Sequence, residues 1–228
     1  MLFTGIQQGG GGSSDGFFTL EDSDATWSIV KSGGAVFQEV PSIDGRTLVL
    51  PANTRDYLNI VFDTPMNLKS NNWTLEWSEI NDVAPSGYFG ELSIGTSVDG
   101  ANGITVRYGD AGFGNRMQFG GTLGTVDKCW SLPFTKAGLQ GVLKRYAMVQ
   151  NAGNISVFVD GVKRMLALGT STTYDRATFT SDNANTALSR IKIGSFASSY
   201  TTVGARRGPV RFNPTKAKYS ANYTPVPF

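Results

Sequence analysis

The sequence contains no histidine and only one cysteine, Cys129. Without histidine, neither a Ser-His-Asp nor a Cys-His catalytic arrangement can form, and the commonest metal ligand is missing. One cysteine allows no intrachain disulfide, so packing alone must hold the fold. A zinc site built from Cys and His is excluded as well. The sequence therefore predicts no metal, no cofactor and a fold suited to a reducing compartment. Cys129 lies between Lys128 and Trp130 and reads as a small buried residue rather than a nucleophile. No apolar run is long enough to span a membrane. The first residues also lack the basic and apolar regions of a secretion signal.

Charge is sparse too. Twenty Lys and Arg stand against 18 Asp and Glu, a net of +2. That is too mild to argue for nucleic acid. The one basic cluster is Arg206-Arg207, with Arg211, Lys216 and Lys218 nearby. Its first reading is solvated surface, and its sharper one is a patch that meets an acidic partner.

What is present is turn-forming and β-forming. The 228 residues include 28 glycines and nine prolines, 40% are hydrophobic and 11% aromatic. That composition excludes disorder as the default and favours many turns over long helices. The length suits a single large β domain.

Residues 1–14 stand apart. Leu2, Phe3 and Ile6 form a short apolar head, followed by Gln7-Gln8, four glycines and two serines. This is the composition of a flexible linker, and the arm is a candidate for docking on a neighbouring subunit. Residues 15–212 read as the folded domain, and 213–228 as an irregular tail ending in Tyr223 and Phe228.

Within the domain, strands are predicted at 35–40, 46–50, 57–62, 73–78, 88–94, 103–108, 115–119, 191–194 and 208–212. Trp73, Leu75 and Trp77 alternate with Thr74, Glu76 and Ser78, so the tryptophans read as core. The densest stretch runs from Leu143 to Leu166. Two alternating segments flank the turn Asn151-Ala152-Gly153-Asn154, and a second turn follows at Asp160-Gly161. Apolar positions recur on both faces of this meander, which predicts a mid-sheet position. Residues 169–185 read as a long polar loop with a short helix near Tyr174–Ala177. About ten or more strands at even spacing predict an all-β, two-sheet antiparallel β-sandwich.

Three features in order resemble the concanavalin A-like, laminin-G-like jelly-roll superfamily. They are Trp73-Thr74-Leu75-Glu76-Trp77, then Tyr146-Ala147-Met148-Val149 leading to Ile155 through Gly161, and then Ile191 through Gly194 with Gly208 through Phe212. The run Ala217 to Pro225 that follows is similar to the ending of laminin-G-like domains in bacteriophage virion proteins. The resemblance implies a jelly roll and a virion structural protein, on the capsid exterior or the tail. Such a protein is assembled in the host cytoplasm and acts by protein–protein binding. Its implied partners are the major capsid or tail protein and copies of itself, with no nucleic acid and no membrane.

Candidate partner-binding residues are Leu2, Phe3, Ile6, Arg206, Arg207, Tyr223 and Phe228. The alternative is a carbohydrate-binding, lectin-like module for attachment to host glycans, with the loop aromatics Phe113 and Tyr200 as stacking candidates. Asp99, Asn102, Asp110 and Asn115 could ligate calcium, but Asp-Gly and Asn-Gly pairs make turns without any metal, so none is assigned. Glucanases of this fold carry two glutamates around an aspartate on one strand. No such run exists here, Glu76 and Glu79 fall on opposite faces of their strand, and Glu91 stands alone. The sequence therefore predicts a protein that is not an enzyme.

Overall fold

The computed structural model describes residues 18–19, 27–33, 36–39, 46–50, 57–67, 70–82, 89–95, 103–109, 116–120, 129–135, 137–180, 187–194, 201–202, 205–208 and 210–225. These residues form two antiparallel sheets packed face to face. In chain order the strands are β1 (Phe18–Thr19), β2 (Trp27–Ser32), β3 (Val36–Glu39), β4 (Arg46–Leu50), β5 (Tyr57–Asn67) and β6 (Trp73–Asn81). They continue with β7 (Phe89–Gly95), β8 (Gly103–Tyr108), β9 (Arg116–Gly120), β10 (Cys129–Thr135), β11 (Lys144–Asn151) and β12 (Asn154–Val159). The last six are β13 (Val162–Lys163), β14 (Ala167–Leu168), β15 (Ala187–Gly194), β16 (Thr201–Thr202), β17 (Ala205–Arg207) and β18 (Arg211–Asn213).

The first sheet runs β13-β12-β11-β6-β17-β4-β3, with β18 joining β6 to β1. The second runs β14-β10-β9-β8-β7-β15-β5-β2, with the short β16 parallel to β7. The expected β-sandwich is the observed fold. The predicted helix near Tyr174 is absent. Residues 169–180 instead run alongside the strands, through single bridges from Leu166 to Arg176 and from Ile155 to Phe179. Strands β1, β2, β10, β14, β16 and β17 fall in stretches that the alternation of the sequence did not single out.

Strand β6 is the spine of the first sheet. β11 pairs along one side of it; β17 and β18 share the other, at Glu79–Asn81 and Thr74–Glu76 respectively. Trp73, Leu75 and Trp77 point inward and are each about 1% exposed or less. Trp77 stacks on Tyr146 of β11, with centroids 5.2 Å apart. Opposite them the second sheet contributes Leu58, Ile60, Ile94, Ile104, Val106, Phe119, Ile191 and Ile193 to the same core. The tryptophans are core, as their alternation predicts.

The meander occupies one end of its sheet, with β13 at the edge and β12 next to it. This corrects the mid-sheet expectation. Both of its turns are two-residue loops with positive φ at both positions: 48° and 82° at Ala152 and Gly153, 52° and 75° at Asp160 and Gly161. Loops of that type match the twist of the strands and set the register Asn151↔Asn154. Its two apolar faces have separate causes. Tyr146, Met148, Ile155, Val157 and Val159 face the core, whereas Ala147, Val149 and Phe158 form an outer cluster covered by Ala217, Tyr219 and Tyr223. The C-terminal segment 214–225 supplies that cover. Although irregular, it lies docked against the outside of the first sheet.

Candidate functional site

Alternation along the second sheet sends one set of side chains into the core and the other away from it. The outward set is polar, and backbone register places its members side by side. One row runs Asn59, Lys192, Ser93, Thr105 across β5, β15, β7 and β8. A second runs Arg107, Gln118, Ser131 across β8, β9 and β10. Four neighbouring strands span about 14 Å at the usual spacing.

These groups face away from the hydrophobic core yet are nearly inaccessible. Asn59 is 8% exposed, Lys192 4% and Gln118 0%. Buried polar groups must be satisfied or they destabilise the fold. Most are satisfied here. Arg107 Nε donates to Gln118 Oε1 at 3.1 Å, and Ser131 Oγ donates to the Gly169 carbonyl at 3.0 Å. Thr105 Oγ1 donates to the Gly120 carbonyl at 2.9 Å. The Lys192 ammonium sits 3.9 Å from the centre of the half-buried Tyr57 ring, at cation–π distance. Asn59 Oδ1, by contrast, is buried and has no hydrogen-bond partner among the described residues. At the Tyr57–Asn59 end of the row, a half-buried ring beside an amide with an open acceptor is chemistry that suits a polyhydroxylated ligand, the ring meeting its apolar face and the amide a hydroxyl.

A second polar cluster lies inside the sandwich. Glu79, on the inward face of β6, accepts from the Tyr108 hydroxyl at 2.8 Å and lies 3.6 Å from Arg207 Nε. Asn81 Nδ2 donates to the same hydroxyl at 2.9 Å. Glu79 and Arg207 are each about 1% exposed at their side chains. The cluster pins one sheet to the other.

The expected surface cluster at Arg206-Arg207 is therefore divided. Arg207 is turned inward by strand alternation and buried with Glu79, which corrects its assignment to a partner-binding patch. Arg206 reaches outward and holds Asp82 at 2.7 Å. Arg211 is paired with Glu76 at 2.6 Å on the outer face of the first sheet.

Tyr223 packs on its own domain. It stacks on Tyr219 with centroids 3.6 Å apart, and both rings meet Phe158 edge-on. Burial pushes the phenols of Tyr219 and Tyr223 well above the usual tyrosine value, and the Glu76 carboxylate adds to the rise in both. Leu2, Phe3, Ile6, Phe113, Tyr200 and Phe228 lie outside the described residues, as do Asp99, Asn102, Asp110 and Asn115. Among the described residues no group of three or more Cys, Asp or Glu could hold a metal ion.

Sequence reasoning placed its glycan-contact candidates in loop aromatics and did not single out the polar rows. The signal was a cation or amide set within otherwise apolar strands, such as Lys192 between Ile191 and Ile193. Alternation alone reads those positions as ordinary solvent-facing residues.

No family model and no curated protein matches this sequence. Solved structures do match in fold. Trypanosoma rangeli sialidase superposes with a TM-score of 0.52 at 12% identity, over 88% of this chain and 30% of that one. The binding domain of botulinum neurotoxin serotype G gives 0.57 at 10% identity, over 90% of this chain and 48% of that one. A structure of botulinum neurotoxin type C, whose cell entry depends on interaction with two ganglioside molecules, gives 0.57 at 11% identity, over 89% and 48%. This chain thus spans 30% to 48% of the length of these three proteins. At these identities the likeness establishes a shared β-sandwich fold.

Proposed function

We propose that this chain is a carbohydrate-binding module, and that the Tyr57–Asn59 end of the outward polar row on the second sheet meets the glycan. The observation that carries this reading is Asn59 Oδ1, a buried acceptor left without a partner beside Tyr57 and Lys192. An unpartnered buried acceptor costs free energy in the empty fold, and a ligand hydroxyl would recover it. The fold it shares with a neurotoxin that interacts with gangliosides supports the same reading.

The module binds and does not hydrolyse. A retaining glycosidase needs two carboxyl groups about 5–5.5 Å apart on the same side of the sugar. Glu76 and Glu79 face opposite sides of β6, and each is held by an arginine. The bacteriophage expectation rests on the C-terminal sequence run and gains nothing from the sialidase and neurotoxin likenesses. A place on a virion surface would suit a glycan-binding module that attaches to a host, and that location stays a proposal.

The test is a glycan array probed with the whole chain, followed by titration of the strongest hit. Asn59→Ala and Tyr57→Ala should each weaken that hit by about tenfold, as loss of one hydrogen bond to a buried group or one stacking surface does. A panel with no saturable hit would sink the proposal. A hit untouched by either substitution would move the site elsewhere.

A further inference from the structure

Beside Asn59 the second sheet carries another open hydrogen-bonding atom, and it is a donor. Ile191 and Ile193 point into the core, so Arg190 and Lys192 of β15 point outward together. Register sets Lys192 opposite Asn59 and Arg190 opposite Val61, one step further along both strands. Arg190 is half-buried, and its Nε is buried with no hydrogen-bond partner among the described residues. No ion pair among the described residues engages its guanidinium. On its other side lie Gly95 and Gly103, which present no side chain to it.

A guanidinium withdrawn from water needs acceptors, and it is charged at every working pH. The other arginines of the molecule show the usual solution. Arg206, Arg207 and Arg211 each lie 2.6–3.6 Å from a carboxylate. Around Arg190 the outward rows hold Lys192 and Arg107 and, among the described side chains, no Asp or Glu. Those two cations are too buried to touch a ligand, but their charge adds to the positive field at this face. What would complete Arg190 is an oxyanion, which its N–H fork can meet at two oxygens.

Two unmet groups of opposite kind therefore sit on neighbouring strands. Asn59 Oδ1 calls for a hydroxyl donor and Arg190 for an anionic acceptor. Their Cβ atoms stand at the diagonal spacing of adjacent strands, roughly 7–8 Å, so one sugar ring can reach both. We propose that the glycan is acidic, and that Arg190 takes the carboxylate or sulfate of a sugar whose hydroxyl meets Asn59. This rests on the carbohydrate reading above and names the class of sugar. A neutral sugar offers hydroxyls alone and leaves the guanidinium without its counter-charge.

The test begins with the whole chain on an array sorted into neutral, carboxylated and sulfated glycans, at low and at physiological salt. Saturable hits should carry a carboxylate or a sulfate and weaken as salt rises; the two acidic groups on the array tell which oxyanion is taken. The strongest acidic hit is then titrated in two forms, intact and with its carboxyl esterified or its sulfate removed. Neutralising the sugar should weaken binding to the wild-type chain by about tenfold or more, as loss of a charge-assisted hydrogen bond does. Arg190→Gln should weaken the intact sugar by a similar factor and the neutralised one not at all. Its urea unfolding should match that of the wild type, because Arg190 Nε holds nothing within the fold.

Hits confined to neutral glycans would overturn this inference and leave the carbohydrate reading standing. So would equal wild-type affinity for the intact and neutralised sugar, a comparison that needs no variant to fold. An array with no saturable hit of any class would overturn both.

Discussion

The outer faces of the two sheets carry the same alternation and have opposite fates. On the first sheet the outward positions include Thr74, Glu76, Ala147, Val149 and Phe158. The chain covers them with its own C-terminal segment, which satisfies Thr74 and packs the apolar ones, while Arg211 of β18 pairs with Glu76. On the second sheet the outward positions are Asn59, Lys192, Ser93, Thr105, Arg107, Gln118 and Ser131. All seven are buried and polar, and Asn59 Oδ1 among them is an open acceptor. An apolar outer face needs a permanent cover, because exposed hydrophobic surface is costly and adhesive. A polar one needs its hydrogen bonds met, and Asn59 Oδ1 is the acceptor left unmet. The comparison separates a face built for structure from a face suited to binding.

The largest expected effect strikes what both faces share, the interior tie between the sheets. Arg207→Leu leaves the Glu79 carboxylate buried without its cation, at a cost of about 3–5 kcal/mol. Urea unfolding should show that loss, and a Glu79→Gln/Arg207→Leu double variant should recover part of it. If the single variant fell by less than the double, the tie would not be ionic. Next in size is Phe158→Ala, which removes the ring on which Tyr219 and Tyr223 rest. It should cost about 3 kcal/mol and expose residues 214–225 to limited proteolysis, while glycan binding by the second sheet stays unchanged. Loss of both together would mean that the faces are coupled.

The third effect belongs to the covered face alone. Burial and the nearby Glu76 carboxylate raise the phenols of Tyr219 and Tyr223. Raised folded values favour the neutral phenols. Their contribution is therefore full below the ordinary tyrosine value of about 10, and it is lost as pH rises above that value. Stability should fall in the alkaline range, and Tyr219→Phe/Tyr223→Phe should flatten the fall. Equal slopes for the two chains would show that other groups drive it.

These contrasts also mark what was legible in the sequence. The period of two at Trp73–Ser78 and Ile155–Val159 gave the sandwich, and the Ala152-Gly153 and Asp160-Gly161 pairs gave the register, because both signals are local. The position of the meander was misread. Val149 and Phe158 are apolar on the outer face for a reason more than fifty residues away, at Tyr219 and Tyr223. Arg207 was misread as surface because inward or outward is set by its pairing with Glu79, a contact 128 positions away along the chain. The outward polar rows were hidden for the same reason: nothing local distinguishes a polar residue facing water from one facing a closed polar row.

The smallest effect on stability is the sharpest test of the comparison. Asn59→Leu removes the unpartnered acceptor and places a side chain of similar size against the half-buried Tyr57 and Val61 side of β5. A group held for structure would be missed. Asn59 Oδ1 makes no hydrogen bond, so its loss should leave stability unchanged or raise it by up to about 1 kcal/mol. Glycan binding should fall in the same variant. Opposite signs in stability and binding are the mark of a site that is destabilised when empty so that it can recognise when full. The matching substitution on the covered face is Thr74→Val. It removes a hydroxyl that holds both the Lys216 carbonyl and the Lys218 N–H, and it should lower stability by about 1–2 kcal/mol without touching glycan binding. If Asn59→Leu destabilised the chain as Thr74→Val does, both outer faces would be structural, and the glycan would have to be sought outside the polar rows.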